Sequence, residues 1–278
     1  MAWSPRVVRA AGAEVVVHAR PGRSPALLGV HGNSSDHRSL VPLVEHPVLA
    51  ACAAHLVDLP GHGASPAAPV ELPGRYGLDF LARVVDEGAA AIDAPLVMIG
   101  HSLGGHALLQ ALARGLLLRA GAVVVFGTPP LAGLDALVGA FGGEHAMRFV
   151  FAGAITRAEA ELWAAEGSSP GAAPPWFVEA VLSTDPAARV ALGASIATEL
   201  RDEVRVLDES PIPIALLHAR EDVIVRREHV LGMRGRALWR GRAQEIPVVG
   251  HHGHWQAPSS FAELIASLAE GSSARHPP

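Results

Sequence analysis

At 278 residues, half of them apolar and 18% charged, the chain has the composition of a well-buried globule, long enough for one large domain or two small ones. Its net charge of −5 gives no electrostatic ground for binding nucleic acid or an anionic membrane. All 22 basic residues are arginine, which excludes chemistry that needs a lysine amine, and the one cysteine, Cys52, excludes an internal disulfide.

The opening MAWSPRVVRAAG has no basic stretch leading into an apolar one, so no signal peptide is expected, and no uninterrupted apolar run reaches the length of a bilayer span. The expectation is a cytoplasmic monomer or homodimer with neither a nucleic-acid nor a membrane partner.

In chain order, short runs rich in β-branched residues predict strands at EVVVHA (14–19), ALLGVH (26–31), AHLVD (54–58), PLVMIG (95–100), AVVVF (122–126), IPIALLHA (212–219) and QEIPVV (244–249). RVVRA (6–10) is a further candidate. Such continuous apolar runs suit strands buried on both faces, as in a parallel sheet. Helices are predicted at 78–92, where Leu78, Leu81, Val85 and Ala89 share one face, at 103–117, and at 259–270, before Gly271. The alternation predicts an α/β fold with a mostly parallel central sheet flanked by helices. Residues 131–210 break the rhythm. They are rich in Ala, Gly and Pro, carry no buried strand pattern, and are expected to form a helical insertion. The core is then 1–130 with 211–270, and 271–278 is a flexible tail.

The predicted strand at 95–100 runs directly into Gly100-His101-Ser102-Leu103-Gly104 and then a helix. Glycines two positions either side of the serine let strand and helix approach closely around a strained residue. That turn lifts the hydroxyl clear of the sheet, at a helix N-terminus whose partial positive charge favours an anion. Ser102 is therefore the candidate nucleophile; the ordinary alternative is a serine that caps the helix with its side chain.

Four segments, in order, resemble the α/β-hydrolase fold superfamily of serine hydrolases over nearly the whole chain. LLGVHGNSSD (27–36) is similar to the family's His-Gly oxyanion loop and VDLPGHGAS (57–65) to the loop after the next strand. GHSLGG (100–105) is similar to the nucleophile elbow, and VGHHGHWQAPSSF (249–261) to the catalytic-histidine loop. The resemblance implies cleavage of a carboxylic ester, lactone or thioester through a Ser-His-Asp triad and an acyl-enzyme. It implies a small-molecule substrate with an acyl group and no cofactor. Amidase or carbon–carbon hydrolase activity is the alternative within the fold. A ligand-binding or cyclase-type member that does not hydrolyse is the alternative of another class.

A serine hydroxyl needs an adjacent base, itself oriented by a third group. By resemblance the acid follows a strand after the insertion, where AREDVIV offers Glu221 and Asp222. Asp222, directly before the hydrophobic residues, fits the pattern better. Asp135, in FGTPPLAGLD, lies too far past the preceding strand. The oxyanion donors implied are the backbone N–H groups of Asn33 and Leu103, with Gly32 permitting close approach. His31 and His62 are expected to hold loops. His101 and His106 flank the elbow, and His101 is a candidate wall of the substrate pocket.

Three histidines crowd GHHGHW. His252 and His254 are half of a zinc site, but no third ligand at metal spacing appears elsewhere, so no metal is expected. The family pattern places a Pro seven residues beyond a Gly-His. Gly250-His251 with Pro258 meets it and Gly253-His254 does not. His251 is thus the base, with His252 and His254 left as loop or lid contacts. The insertion is expected to form a lid whose Phe141, Phe149, Phe151, Trp163, Trp176 and Phe177 line an apolar pocket or pack within the lid itself. A histidine base works when neutral, so activity is expected to fall on acidification around its ordinary pKa of about 6.5.

Overall fold

Eight strands make one sheet in the computed structural model, which describes residues 2–168 and 173–273. They are β1 (Ser4–Ala10), β2 (Ala13–Arg20), β3 (Arg23–Val30), β4 (Cys52–Asp58), β5 (Leu96–His101), β6 (Ala120–Phe126), β7 (Ile214–Glu221) and β8 (Gln244–Val249). The spatial order is β1-β2-β4-β3-β5-β6-β7-β8. β2 pairs antiparallel with β1 and β4, and every later pairing is parallel. The RVVRA run is thus a strand, an edge one with its side chains mostly exposed.

The helices are α1 (Val41–Val44), α2 (Leu78–Ala90), α3 (Leu103–Ala113), α4 (Leu137–Ala140), α5 (His145–Phe149), α6 (Arg157–Glu166), α7 (Pro175–Ser183), α8 (Pro186–Glu199), α9 (Glu203–Glu209), α10 (Arg227–Leu231), α11 (Gly253–Gln256) and α12 (Pro258–Ser273). Among the described residues no helix is long and apolar enough to cross a membrane. α3 stops four residues earlier than expected because Gly115 and Leu117 turn through positive φ, 71° and 61°. α12 runs past Gly271 to Ser273. A glycine costs a helix only about 1 kcal/mol, so the break expected there does not occur. Residues 274–278 of the predicted tail lie outside the described residues.

Alternation along each strand divides the core in two. Leu28, Val30, Met98, Val123 and Val125 face one side, with α2 and α3. Leu27, Leu56, Val97, Ile99, Val124 and Phe126 face the other, with Phe261 and Ile265 of α12. Each such side chain fully buried is worth about 1.5–3 kcal/mol, so both faces are strongly held. Between β6 and β7 the chain is helical. α5, α6 and α7 build a separate apolar cluster around Phe149, Trp163 and Phe177, while α8 packs on α2 and α9 on α3.

The strand order also locates a crevice. From β3 the chain steps to β4 on one side, then crosses to β5 on the other. The loops leaving the C-terminal ends of β3 and β5 therefore part, and such switch points are where open α/β sheets bind ligands.

Candidate active site

Ser102 stands at that switch point with φ 49° and ψ −115°, a conformation an L-residue adopts only under constraint. The constraint is visible. Its N–H donates to Phe126 O at 3.0 Å, and its carbonyl accepts from Thr128 Oγ1 and from His106 N–H, each at 3.0 Å. The flanking glycines are required by space. A Cβ on Gly104 would lie 2.3 Å from Val30 O, and one on Gly100 would lie 2.7 Å from the Gly104 carbonyl. The Ser102 side chain makes no capping bond to α3, so the ordinary N-cap reading fails.

His251 follows β8 after Gly250 (φ 74°). Its Nδ1 lies 2.8 Å from Asp222 Oδ2, and both residues are buried. Asp222 Oδ1 accepts the N–H groups of Ile224 and Val225 at 2.8 and 3.0 Å, so its orientation is fixed. Burial opposes its charge, but His251 and these two donors outweigh it and hold the carboxyl below the ordinary carboxylate value. A charged carboxylate only accepts, so Nδ1 carries the hydrogen and Nε2 is left as the basic nitrogen. Glu221, the other carboxylate weighed for this position, is exposed at the end of β7.

Two small cavities meet at Ser102. One, about 50 Å³, is lined by Ser102, His251, Gly32, Asn33 and His101. The other, about 70 Å³, is lined by Ser102, Leu103, Asn33 and mostly apolar side chains. Gly32 makes the approach possible, since a Cβ there would lie 2.8 Å from His101 Nδ1 and 3.2 Å from Ser102 Cβ. The backbone N–H groups of Asn33 and Leu103 have no hydrogen-bond partner among the described residues, and both residues line both or one of these cavities.

The Asn33 side chain is held on both ends. Its Nδ2 donates to Val150 O at 2.9 Å and its Oδ1 accepts from Ser34 Oγ at 3.1 Å. Arg189 of α8 donates in turn to Ser34 Oγ at 3.1 Å, and also to Ala152 O and Gly153 O at 2.8 and 2.7 Å. This guanidinium is 1% exposed and has no carboxylate within ion-pair distance among the described residues. Sequence reasoning missed it. The only signal was one arginine within an otherwise small and apolar helix, PAARVALGAS.

The other predicted residues divide. His31 accepts Leu59 N–H at Nε2 (3.0 Å) and so donates from Nδ1 to Gly32 O (2.7 Å), bracing the loop after β3. His62 binds Pro60 O, and burial pushes its pKa down to about 3. Both hold loops, as expected. His101 does line a cavity, but it is nearly enclosed and packs over His251 and His254. Phe141 lines both cavities, Phe151 the apolar one, and Trp163 and Phe177 the one at His251. Phe149 and Trp176 line neither. Phe149 is committed to the α5–α7 cluster, and Trp176 packs on Trp255 and under the Arg38 guanidinium. Met147 and Val150 line both cavities and were not anticipated.

His252 and His254 also part company. His252 stacks on Trp255 at 4.2 Å and touches Phe177, and a Cβ on Gly167 would lie 2.5 Å from its Nε2, so it meets the inserted helices. His254 does not face them. It is fully buried against Phe126 and Phe261, because α11 turns its first residues down onto the sheet.

One further group deserves testing as a metal site: His18, His37 and Asp58, whose donor atoms lie within 4.8 Å of one another. The arrangement fits a metal poorly. The two rings stack nearly parallel, 3.4 Å apart, so their in-plane lone pairs do not converge on one point. Asp58 is also already engaged by both rings and by the N–H groups of His37 and Ala64.

Comparisons with known proteins bear on the whole of this arrangement. A synthase of 2-succinyl-6-hydroxy-2,4-cyclohexadiene-1-carboxylate from Salmonella paratyphi C (strain RKS4594) is 33% identical over 121 residues, 42% of this chain and 46% of that one. The chain thus matches less than half the length of this curated relative. An N-acyl homoserine lactonase complexed with N-butanoyl homoserine superposes with a TM-score of 0.89 at 23% identity, over 97% of each chain. An esterase from Rhodococcus sp. ECU1013 superposes with a TM-score of 0.75 at 21% identity, over 97% of this chain and 99% of that one. At such identities these likenesses speak for the fold alone. The family model described as the alpha/beta hydrolase family matches residues 27–264, the span that carries the elbow, the carboxylate and the histidine loop, and the chain belongs to that family.

Proposed function

We propose that the protein is a serine hydrolase of carboxylic esters or lactones, with Ser102 as nucleophile, His251 as base and Asp222 as its orienting acid. One observation carries the reading: the Asp222–His251 bond opens onto the cavity that holds a strained serine whose hydroxyl caps nothing. In this mechanism His251 Nε2 takes the proton as Ser102 Oγ attacks the carbonyl carbon. Asp222 keeps the ring in the right tautomer and stabilises the imidazolium. The oxyanion receives the Asn33 and Leu103 N–H groups, which have no partner among the described residues. Collapse breaks the bond to the leaving oxygen, His251 returns the proton to it, and a water activated by the same ring then releases the acid.

The position of the base also sorts the cavities. A leaving alkoxide must reach His251, so the cavity lined by His251 takes the alcohol side and the apolar cavity takes the acyl chain. α4 to α7 supply Phe141, Met147 and Val150 around both, which is the role of a lid.

The test is a panel of p-nitrophenyl esters and lactones with the purified protein, together with labelling by a fluorophosphonate. Turnover of at least one ester or lactone and an adduct on Ser102 are expected, both lost in Ser102→Ala. Full turnover by Ser102→Ala would sink the proposal. The synthase similarity supports one second reading, ring closure or elimination in place of hydrolysis. An adduct on Ser102 with no turnover of any ester, lactone or thioester would favour it.

A further inference from the structure

His106 and Glu203 form another imidazole–carboxylate pair, on the wall of the apolar cavity. His106 lies in the first turn of α3, its N–H donates to Ser102 O at 3.0 Å, and both residues line this cavity. His106 Nδ1 lies 3.0 Å from each oxygen of Glu203. Glu203, fully buried, also accepts from Gln110 Nε2 at 2.8 Å and from Leu131 N–H at 3.0 Å. The carboxylate fixes both the rotation and the tautomer of the ring, as Asp222 does for His251. With its hydrogen on Nδ1, the neutral ring offers a lone pair at Nε2, which has no partner among the described residues. Around it the wall is apolar, with Leu78, Leu131, Phe141 and Leu192.

We propose that His106 recognises a hydrogen-bond donor on the acyl part of the substrate. The class is acyl groups with a hydroxyl or amide N–H on the second or third carbon, such as hydroxyacyl or N-acylaminoacyl esters and lactones. The inference rests on the reading of Ser102 as a nucleophile toward an acyl group held in this cavity. An acceptor without a partner among the described residues, in a mostly apolar wall, discriminates because a ligand without a donor leaves it unpaired. His106 and Ser102 line the same cavity of about 70 Å³, so a donor that reaches His106 belongs to the part of the acyl chain nearest the scissile carbonyl.

The experiment compares p-nitrophenyl 3-hydroxybutanoate with p-nitrophenyl butanoate, and the ester of N-acetylglycine with that of pentanoate. What is read is the ratio of kcat/KM, donor-bearing over plain, measured on one preparation of each protein so that the folded fraction cancels. His106→Leu is expected to lower this ratio about tenfold, the factor one such hydrogen bond carries. Glu203→Gln, which keeps the shape but loosens the ring, is expected to lower it by less. A pure brace between α3 and α9 would lower both rates together, so an unchanged ratio in His106→Leu overturns the inference alone. No Ser102-dependent turnover of the plain esters would overturn the nucleophile reading, and this inference with it.

Discussion

Two aspartates hold histidines at the C-terminal edge of the sheet, and they differ in what the histidines face. Asp58 ends β4 and Asp222 follows β7. Both are buried, both lie 2.8–3.0 Å from imidazole nitrogens, and both are held below the ordinary carboxylate range. The difference lies in what else each cluster touches. Asp58 is closed on all sides by His18, His37 and two backbone N–H groups, and the two rings stack on each other rather than on a cavity. Asp222 gives one oxygen to the backbone and the other to a single ring, and that ring lines a cavity with Ser102. A histidine–aspartate pair is structural or chemical according to where the second imidazole nitrogen leads.

Substitution separates the two clusters most strongly. Ser102→Ala is expected to reduce kcat by about 10⁶, and Asp222→Asn by about 10⁴ because the amide favours the wrong tautomer. Asp222→Asn also gives up a buried, bonded carboxylate and should lower the melting temperature as well, whereas Ser102→Ala should lose activity and leave it nearly unchanged. Asp58→Asn should do the reverse. Breaking a buried, fully bonded pair costs about 3–5 kcal/mol of stability, while turnover per folded molecule stays close to the wild type. The pH dependence has a definite sign. Burial opposes the Asp58 charge, yet the hydrogen bonds from His18 and His37 pull its pKa well down. The stability it supplies is therefore fully present above the unfolded carboxylate value of about 3.9, and is lost as pH falls below that toward the folded value. Thermal melts from pH 6 to pH 3 should show a decline that Asp58→Asn flattens. A large loss of turnover in folded Asp58→Asn would break the distinction.

A smaller effect is expected where the inserted helices reach the loop after β3, the proposed oxyanion loop. Ser34 relays Arg189 to the Asn33 side chain, so Ser34→Ala leaves the Asn33 N–H in place but less firmly aimed. Weakening one such donor without deleting it is expected to lower kcat about tenfold, against the 10²–10³ of full removal, with KM little changed. Steady-state kinetics on one ester measures the split. A rise in KM at constant kcat would assign Ser34 to binding instead.

What could be read in advance follows the same division. The strands were legible because β5, β6 and the second half of β3 are buried on both faces and so read as nearly continuous apolar runs. The tight turn at Ser102 was legible because it needs glycines at 100 and 104, where a Cβ would meet backbone. The choices of Asp222 over Glu221 and of His251 over His254 rested on the family patterns those segments resemble, an Asp before hydrophobic residues and a Pro seven residues beyond a Gly-His. Arg189, Ser34 and Glu203 were not legible. Their partners lie 155, 155 and 97 residues away, and no local pattern encodes a contact of that kind. Whether Phe149 and Trp176 line a pocket or pack was not legible for a related reason, since a helix sequence marks which face is apolar but not whether that face meets a cavity or another side chain; both pack.

His254 gives the smallest effect and the finest comparison with His251, three residues before it. It is fully enclosed by aromatic rings, including His101 at 4.3 Å and Phe126 at 4.9 Å. Burial and the nearby His251 press its pKa well below the ordinary value. The folded state therefore resists a proton that the unfolded chain accepts below about 6.5, so this residue subtracts stability progressively as pH falls beneath that value. His254→Phe keeps a ring in the space and removes the proton site. Whatever the change in packing does at pH 8, the melting temperature of the variant relative to wild type should rise between pH 7 and pH 5. Turnover at pH 8 should stay within a few-fold of wild type, whereas His251→Phe should lose nearly all of it. A crippled His254→Phe beside an active His251→Phe would exchange their roles. It would mean that the imidazole packed on Phe126, not the one bonded to Asp222, serves Ser102.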